Sequence, residues 1–233
     1  MTATEVAGRP RGGSSSIDRP SYWWYVARAR LLPAVLRAYT AAGGRVLDVG
    51  SADGPSVGWL PDRVPLDVDP RGLRRGGVCA SADQLPFAAS TFDVVTAFDV
   101  VEHFADDGRL LAELHRVLKP GGTLLISVPA YQWAWSEFDV RAGHHRRYTR
   151  RRIDGAVRAA GFSVQRATYA FMLTLPFFTL SRLWTKLGRG SAAVSALPAS
   201  VERVLLGLTG VEERLLSRWD LPAGSSIFLA ARS

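Results

Sequence analysis

From residue 45 onward, short apolar runs alternate with longer stretches that are apolar on one side only. "RVLDVG" (45–50) and "RVPLDV" (63–68) read as buried strands ending in acid-bearing turns. "FDVVTAF" (92–98) and "TLLISVP" (123–129) have the unbroken apolar character of central parallel strands. Between those two, "DDGRLLAELHRVL" (106–118) sets Leu110, Leu111, Leu114, Val117 and Leu118 on one face, the spacing of an amphipathic helix. Pro120, Gly121 and Gly122 stop that helix and turn the chain into the next strand. Thr149 is placed to cap a helix running to Ala160, with Gly161 closing it, and strands follow at 163–169 and 225–231. Such alternation predicts a doubly wound α/β sheet, with ligands at the carboxyl ends of its strands.

Two segments stand outside this alternation. "SYWWYVARARLLPAVLRAYTAAGG" (21–44) predicts a helix over 21–42, ended by its glycines and kinked or split at Pro33. Its aromatic face suggests a cap over the cleft, with Arg28 near a carboxylate, or simple packing on the sheet. "YAFMLTLPFFTLSRLW" (169–184) is apolar on all sides, but Arg182 and Lys186 cut it short of the ~20 residues that span a bilayer. Core burial is one fate for it. The others are an apolar acceptor channel or contact with a membrane surface, where Arg182, Lys186 and Arg189 would meet phosphate groups. The organisation expected is a disordered tail at 1–20, then a single domain over 21–233 that carries the cap helix and a helical insertion at 170–222.

The formal net charge of +8 and pI near 10.3 come largely from arginine. Such charge attracts nucleic acid, anionic membranes or phosphorylated small molecules without choosing among them. The single cysteine, Cys79, excludes an internal disulfide and a cysteine-based zinc site, and is expected in the core. Residues 1–20 lack the apolar region of a signal peptide, so a cytoplasmic protein is expected, peripheral at the membrane if 169–184 meets lipid.

The candidate chemistry begins at "VLDVGSADG" (46–54), a strand, an acid and a small-residue turn. Gly50, Ala52 and Gly54 let backbone approach a ligand closely. Ala52 and Pro55 break the G-x-G-x-x-G of a nicotinamide dinucleotide site, and Asp48 disfavours a pyrophosphate while suiting a ligand with a positive amino group. Together with "LDVDP" (66–70), "ASADQLPFAASTFDVVTAFDVVEHF" (80–104) and "LKPGGTLLISVP" (118–129), this turn resembles the ordered motifs of class I S-adenosylmethionine-dependent methyltransferases over residues 22–170. Alanine at 52 departs from the glycine common there, by one methyl group. The resemblance implies a Rossmann-like sheet with an antiparallel last strand, helices on both faces, and S-adenosyl-L-methionine as cofactor.

It also implies roles. Gly50, Ser51, Ala52 and Gly54 would wrap the methionine part and Asp48 would help hold its amino group. Asp67, with Val68 beside it, would accept from the ribose hydroxyls; Asp83 would receive the adenine amino group, lined by Ala82 and Gln84; Phe98 and Asp99 would lie near the sulfonium. Turn and capping roles are the alternatives for Asp67 and Asp83.

Methyl transfer to a hydroxyl needs a proton acceptor, and histidine suits that near neutral pH. His103 follows the fourth strand, and Asp99, Glu102 and His103 resemble the "E-x-x-E-H" stretch of ubiquinone-pathway O-methyltransferases, where such residues can bind magnesium; no metal is assigned here. "VPAYQWAWSEFDVRAGHHRRYTRRRI" (128–153) resembles a bacterial subgroup with a VP…D…GHxRRY loop over the acceptor pocket, often associated with glycan, lipid or secondary-metabolite pathways. On that pattern His144 is a candidate base, Asp139 its orienting acid, and Arg147 and Tyr148 pocket residues, while Arg150, Arg151 and Arg152 suit a solvated helix face. The acceptor expected is a small molecule, anionic or lipid-like, taken by O-methylation. A cofactor-binding scaffold without activity and an RNA methyltransferase are the competing readings. No nucleic-acid partner is expected, because "FDVVEH" stands where amino-methylating enzymes carry "[DNS]-P-P-[YFW]".

Overall fold

The computed structural model describes residues 20–40, 43–51, 55–60, 62–73, 76–187 and 197–233. The expected tail, Ala52, Gly54 and Arg189 therefore fall outside the described residues, the tail except for its last residue. Seven strands form one sheet: β1 (Val46–Val49), β2 (Arg63–Asp67), β3 (Val78–Cys79), β4 (Phe92–Phe98), β5 (Leu118–Pro129), β6 (Ser163–Ala170) and β7 (Ser226–Arg232). Their order is β3-β2-β1-β4-β5-β7-β6, and β7 runs antiparallel to both of its neighbours. β1 pairs in parallel with β2 on one side and β4 on the other, so the strand order reverses at β1 and opens a crevice at their carboxyl ends.

Burial explains the unbroken apolar runs. Every residue of β1 is buried, as are Val94, Val95 and Ala97 of β4 and Leu124 to Ile126 of β5. Helix α2 (Asp107–Val117) turns Leu110, Leu111, Leu114 and Val117 inward, and Asp106 caps it by accepting the Arg109 N–H. After α2 the chain enters β5 directly at Leu118, which pairs with Phe92, earlier than the pattern predicts. Pro120 and the glycines make the irregularity inside that strand, with Gly121 at φ +75°.

Helix α1 (Trp23–Leu36) is not split at Pro33. The carbonyl that loses a partner there is outweighed by Leu31, Leu32, Val35 and Leu36, all buried in the core. Cys79 corrects an expectation: it is exposed, because β3 is only two residues long and forms the sheet's edge. Helix α3 (Glu137–Ala142) carries a reciprocal capping box between Ser136 and Asp139, and helix α4 (Arg150–Ala159) is capped by Thr149 and buries Ile153 and Val157.

The apolar stretch also departs from the burial reading. It splits into the end of β6, a turn, and helix α5 (Leu175–Lys186), none of whose residues is buried. Phe178 and Arg182, four apart, face the protein, whereas Phe177, Leu180, Leu183, Trp184 and Leu187 are 39–69% exposed along the other side. The last helix, α6 (Ala199–Leu216), packs on α1 and buries Glu212, which accepts the backbone N–H groups of Phe171 and Leu173. Among the described residues no helix is long and apolar enough to cross a membrane.

Candidate active site

The crevice is lined first by β-strand ends. Gly50 follows β1 at φ +72° and donates its N–H to Leu66 across 2.8 Å. A Cβ there would lie 2.4 Å from Val100 Cγ2, so both the turn and its packing require glycine. Ser51 beside it is buried. Asp67 ends β2 with its carboxyl group mostly buried, and Oδ1 accepts the Asp69 N–H at 2.8 Å, fixing the turn. Val68 is 62% exposed next to it. Ala82 is buried, Gln84 is exposed, and Asp83 accepts the Ser81 hydroxyl and lies 3.8 Å from Arg109. Asp48 is placed differently from a turn residue. It lies within β1, where its carboxylate accepts the Thr96 hydroxyl at 2.8 Å and lies 3.6 Å from Arg63.

At the end of β4, Phe98 is buried and Asp99 stands at φ +54°. The buried Arg28 of α1 reaches Asp99 at 2.8 Å, donates to the Ser56 and Ser127 hydroxyls, and lies over the Trp24 and Phe98 rings. Ser127 in turn donates to Asp99. One arginine thus ties the N-terminal helix to the loop after β1 and to the ends of β4 and β5. Tyr131, just past β5, and Phe171, just past β6, also hold positive φ values, of 63° and 64°. Tyrosine and phenylalanine adopt that conformation only where their surroundings force it, and both stand, like Asp99, just past strand ends.

The second wall is the loop between β5 and α4. Asp139 is fully buried and binds the Arg147 guanidinium, 2.8 Å from Nε to Oδ1 and 3.2 Å from Nη2 to Oδ2. The same Oδ1 faces His144 Nδ1 at 3.0 Å. Burial alone would raise the Asp139 pKa, but His144 and Arg147 hold it down at about 2, so it is a carboxylate throughout the neutral range. An ionised Asp139 makes His144 Nδ1 the donor and leaves Nε2 as the ring nitrogen not held by it. The His103 ring lies edge-to-face against His144, 4.6 Å between centroids. Its edge meets solvent, but the protein around it and the neighbouring His144 lower its pKa to about 4, which keeps it neutral.

Beneath both histidines Glu102 is completely buried, and neither carboxyl oxygen has a hydrogen-bond partner among the described residues. Burial, reinforced by Asp99, drives its pKa well above the usual carboxylate range. Ligand atoms of Glu102, His103 and His144 lie within 4.8 Å of one another, close enough to share a cation. The Tyr148 hydroxyl is turned away from this wall and donates to Asp107 at 2.8 Å. Arg150, Arg151 and Arg152 are exposed on α4.

The structure therefore brings His103, His144, Asp139, Glu102 and Asp99 to one end of the sheet. The pairing of Arg28 with Asp99 matches the expected place near a carboxylate, whereas Ser56, Ser127, Tyr131 and the bonds of Arg28 to the two serines were not legible beforehand. Serines are common, and Arg28 meets Ser127 across 99 residues of sequence.

Residues 23–167 match the model of a methyltransferase domain family, more than half of the chain. The chain belongs to this family. Among curated relatives of this chain, a Mycolicibacterium smegmatis protein named as a probable S-adenosylmethionine-dependent methyltransferase is 32% identical over 108 residues, 40% of each chain. A demethylmenaquinone methyltransferase of Corynebacterium urealyticum is 33% identical over 118 residues, 44% of this chain and 51% of that one. The matched segments thus span only about half, or less, of those relatives' own lengths. Solved structures share the fold: a Burkholderia thailandensis 1,6-didemethyltoxoflavin-N1-methyltransferase with bound substrate and S-adenosylhomocysteine (TM-score 0.56, 17% identity, 94% and 84% covered) and the [4+2]-cyclase SpnF (TM-score 0.57, 21% identity, 97% and 84% covered). That pair shows how widely chemistry varies on this sheet.

Proposed function

We propose that this methyltransferase moves a methyl group from S-adenosylmethionine to a hydroxyl of a small-molecule acceptor. The observation that carries the reading is the Asp139–His144 pair, a buried carboxylate holding an imidazole in its basic tautomer, at the carboxyl end of the strands. The residues present suit the cofactor. The glycine turn at Gly50 leaves only backbone at the end of β1, and Asp67 sets a carboxylate at the end of β2 to accept from a vicinal diol. Asp83, Ala82 and Gln84 continue that edge toward an adenine amino group, and Phe98, Asp99 and Ser51 close the sulfonium end.

When bound, the cofactor supplies an electrophilic methyl group on sulfur. The chain's own contribution is alignment and proton removal. His144 Nε2 takes the acceptor's hydroxyl proton, and Asp139, kept ionised by Arg147, stabilises the imidazolium that results. His103, its ring edge-to-face against His144 at 4.6 Å, positions the loop that carries His144. Arg28 locks α1 over the crevice through Asp99 and so helps exclude water. The exposed apolar stripe on α5 supports an acceptor with an apolar body, met at a lipid surface.

Methyl-labelled S-adenosylmethionine incubated with purified protein and separate membrane and aqueous cell fractions tests both parts. The expected result is label in a solvent-extractable product from the membrane fraction. Label appearing only in water-soluble product would overturn the lipid-surface part, and label in neither would overturn methyl transfer.

A further inference from the structure

We propose that Arg182 is an anion-binding residue of the acceptor site, so that the acceptor bears a carboxylate or phosphate group beside the hydroxyl that is methylated. The inference rests on the reading of the crevice as a methyltransferase site and names the chemistry of its substrate. Arg182 projects from α5 back onto the catalytic loop, half-buried, between the rings of Phe178 at 4.9 Å and Phe138 at 5.9 Å. Its one side-chain hydrogen bond is donated by Nη1 to Ser136 Oγ at 2.7 Å, and its buried Nε has no partner among the described residues.

No carboxylate among the described residues forms an ion pair with Arg182. The nearest acid in the bonded network, Asp139, is already engaged by Arg147 and His144. Arg147 also lies against the Phe178 ring, at 5.9 Å, so two guanidinium groups stand at this wall, and of the two it is Arg147 that holds the Asp139 carboxylate. A guanidinium taken partly out of water without an anion is costly, and its planar fork fits the two oxygens of a carboxylate or phosphate.

The placement ties this charge to the chemistry. Ser136 Oγ, which accepts from Arg182, lies 3.3 Å from Asp139 Oδ2, and Asp139 holds His144. The Phe138 ring stands between Arg182 and His144, 6.3 Å from the imidazole centroid. An acceptor lying along Phe138 and Phe178 would thus present its anionic group to Arg182 and its hydroxyl to His144.

The test uses the full chain, with benzoate and inorganic phosphate as probes at an ionic strength held constant with chloride. The wild-type melting temperature is expected to rise with at least one probe. Benzoate alone identifies a carboxylate site, and phosphate alone a phosphate site. Arg182→Met should raise the apparent Kd for that probe at least tenfold, roughly the loss of one charge-assisted contact, while S-adenosylhomocysteine affinity stays unchanged. Its melting temperature without probe should not fall, because an uncompensated charge has gone. Should that variant fail to fold, Arg182→Lys, which keeps charge and loses the fork, should show an intermediate rise in Kd. A wild type indifferent to both probes, or variants that respond as it does, would overturn the proposal. If S-adenosylhomocysteine still binds in that case, the methyltransferase reading survives.

Discussion

Replacing His144 by alanine is expected to lower kcat by about 10²–10⁴, the usual worth of a positioned general base. Affinity for S-adenosylhomocysteine should be unaffected, since His144 belongs to the loop between β5 and α4 and the residues proposed to hold the cofactor to the ends of β1, β2 and β4. The two histidines are not equivalent. His144 is oriented by an ionised carboxylate, whereas the His103 ring is held edge-to-face against His144. His103→Ala is therefore expected to act chiefly on acceptor KM. Single-turnover rates with a hydroxyl acceptor check this. Full turnover in His144→Ala would mean that the proton leaves by another route.

The second large effect is on stability. Asp139 and Arg147 are a buried pair with side chains 0% and 4% exposed, so an amide at 139 strands a buried guanidinium. Asp139→Asn should lower the unfolding free energy by about 3–5 kcal/mol, as expected when one partner of a buried pair is removed. The sign with pH follows from the depressed pKa. Asp139 titrates at about 2 in the folded protein and near 3.9 when unfolded, so its stabilisation is complete above about pH 4 and is lost as pH falls through about 2. Urea denaturation at pH 7 and at pH 3 should thus show the wild type's advantage shrinking at the lower pH. Equal midpoints at pH 7 would show that the pair contributes no net stability.

The central strands and α2 were legible because their pattern is dictated by burial: Val94 to Phe98 of β4 and Thr123 to Val128 of β5 are buried without a break, and α2 repeats every three to four residues. β3 was invisible, since two residues carry no period. Cys79 was misread, and the fate of α5 left open, for a shared reason. A sequence shows that residues are apolar, but only the fold shows whether anything covers them, and β3 is an edge while α5 lies outside the sheet's layers. In the site, Asp139, His144 and Arg147 are close in sequence and could be picked out together. The buried, unpartnered acid at Glu102 and the reach of Arg28 to Ser127 depend on contacts that no local spacing encodes.

The most direct measurement of the account is a calorimetric titration of S-adenosylhomocysteine into wild type and Asp67→Ala. The methyltransferase reading predicts a single saturable site in the wild type. It also predicts weakening by about 1.5–3 kcal/mol in the variant, the worth of hydrogen bonds from ribose hydroxyls to a charged acceptor. Absence of binding to the wild type, or equal affinity in both proteins, would contradict it.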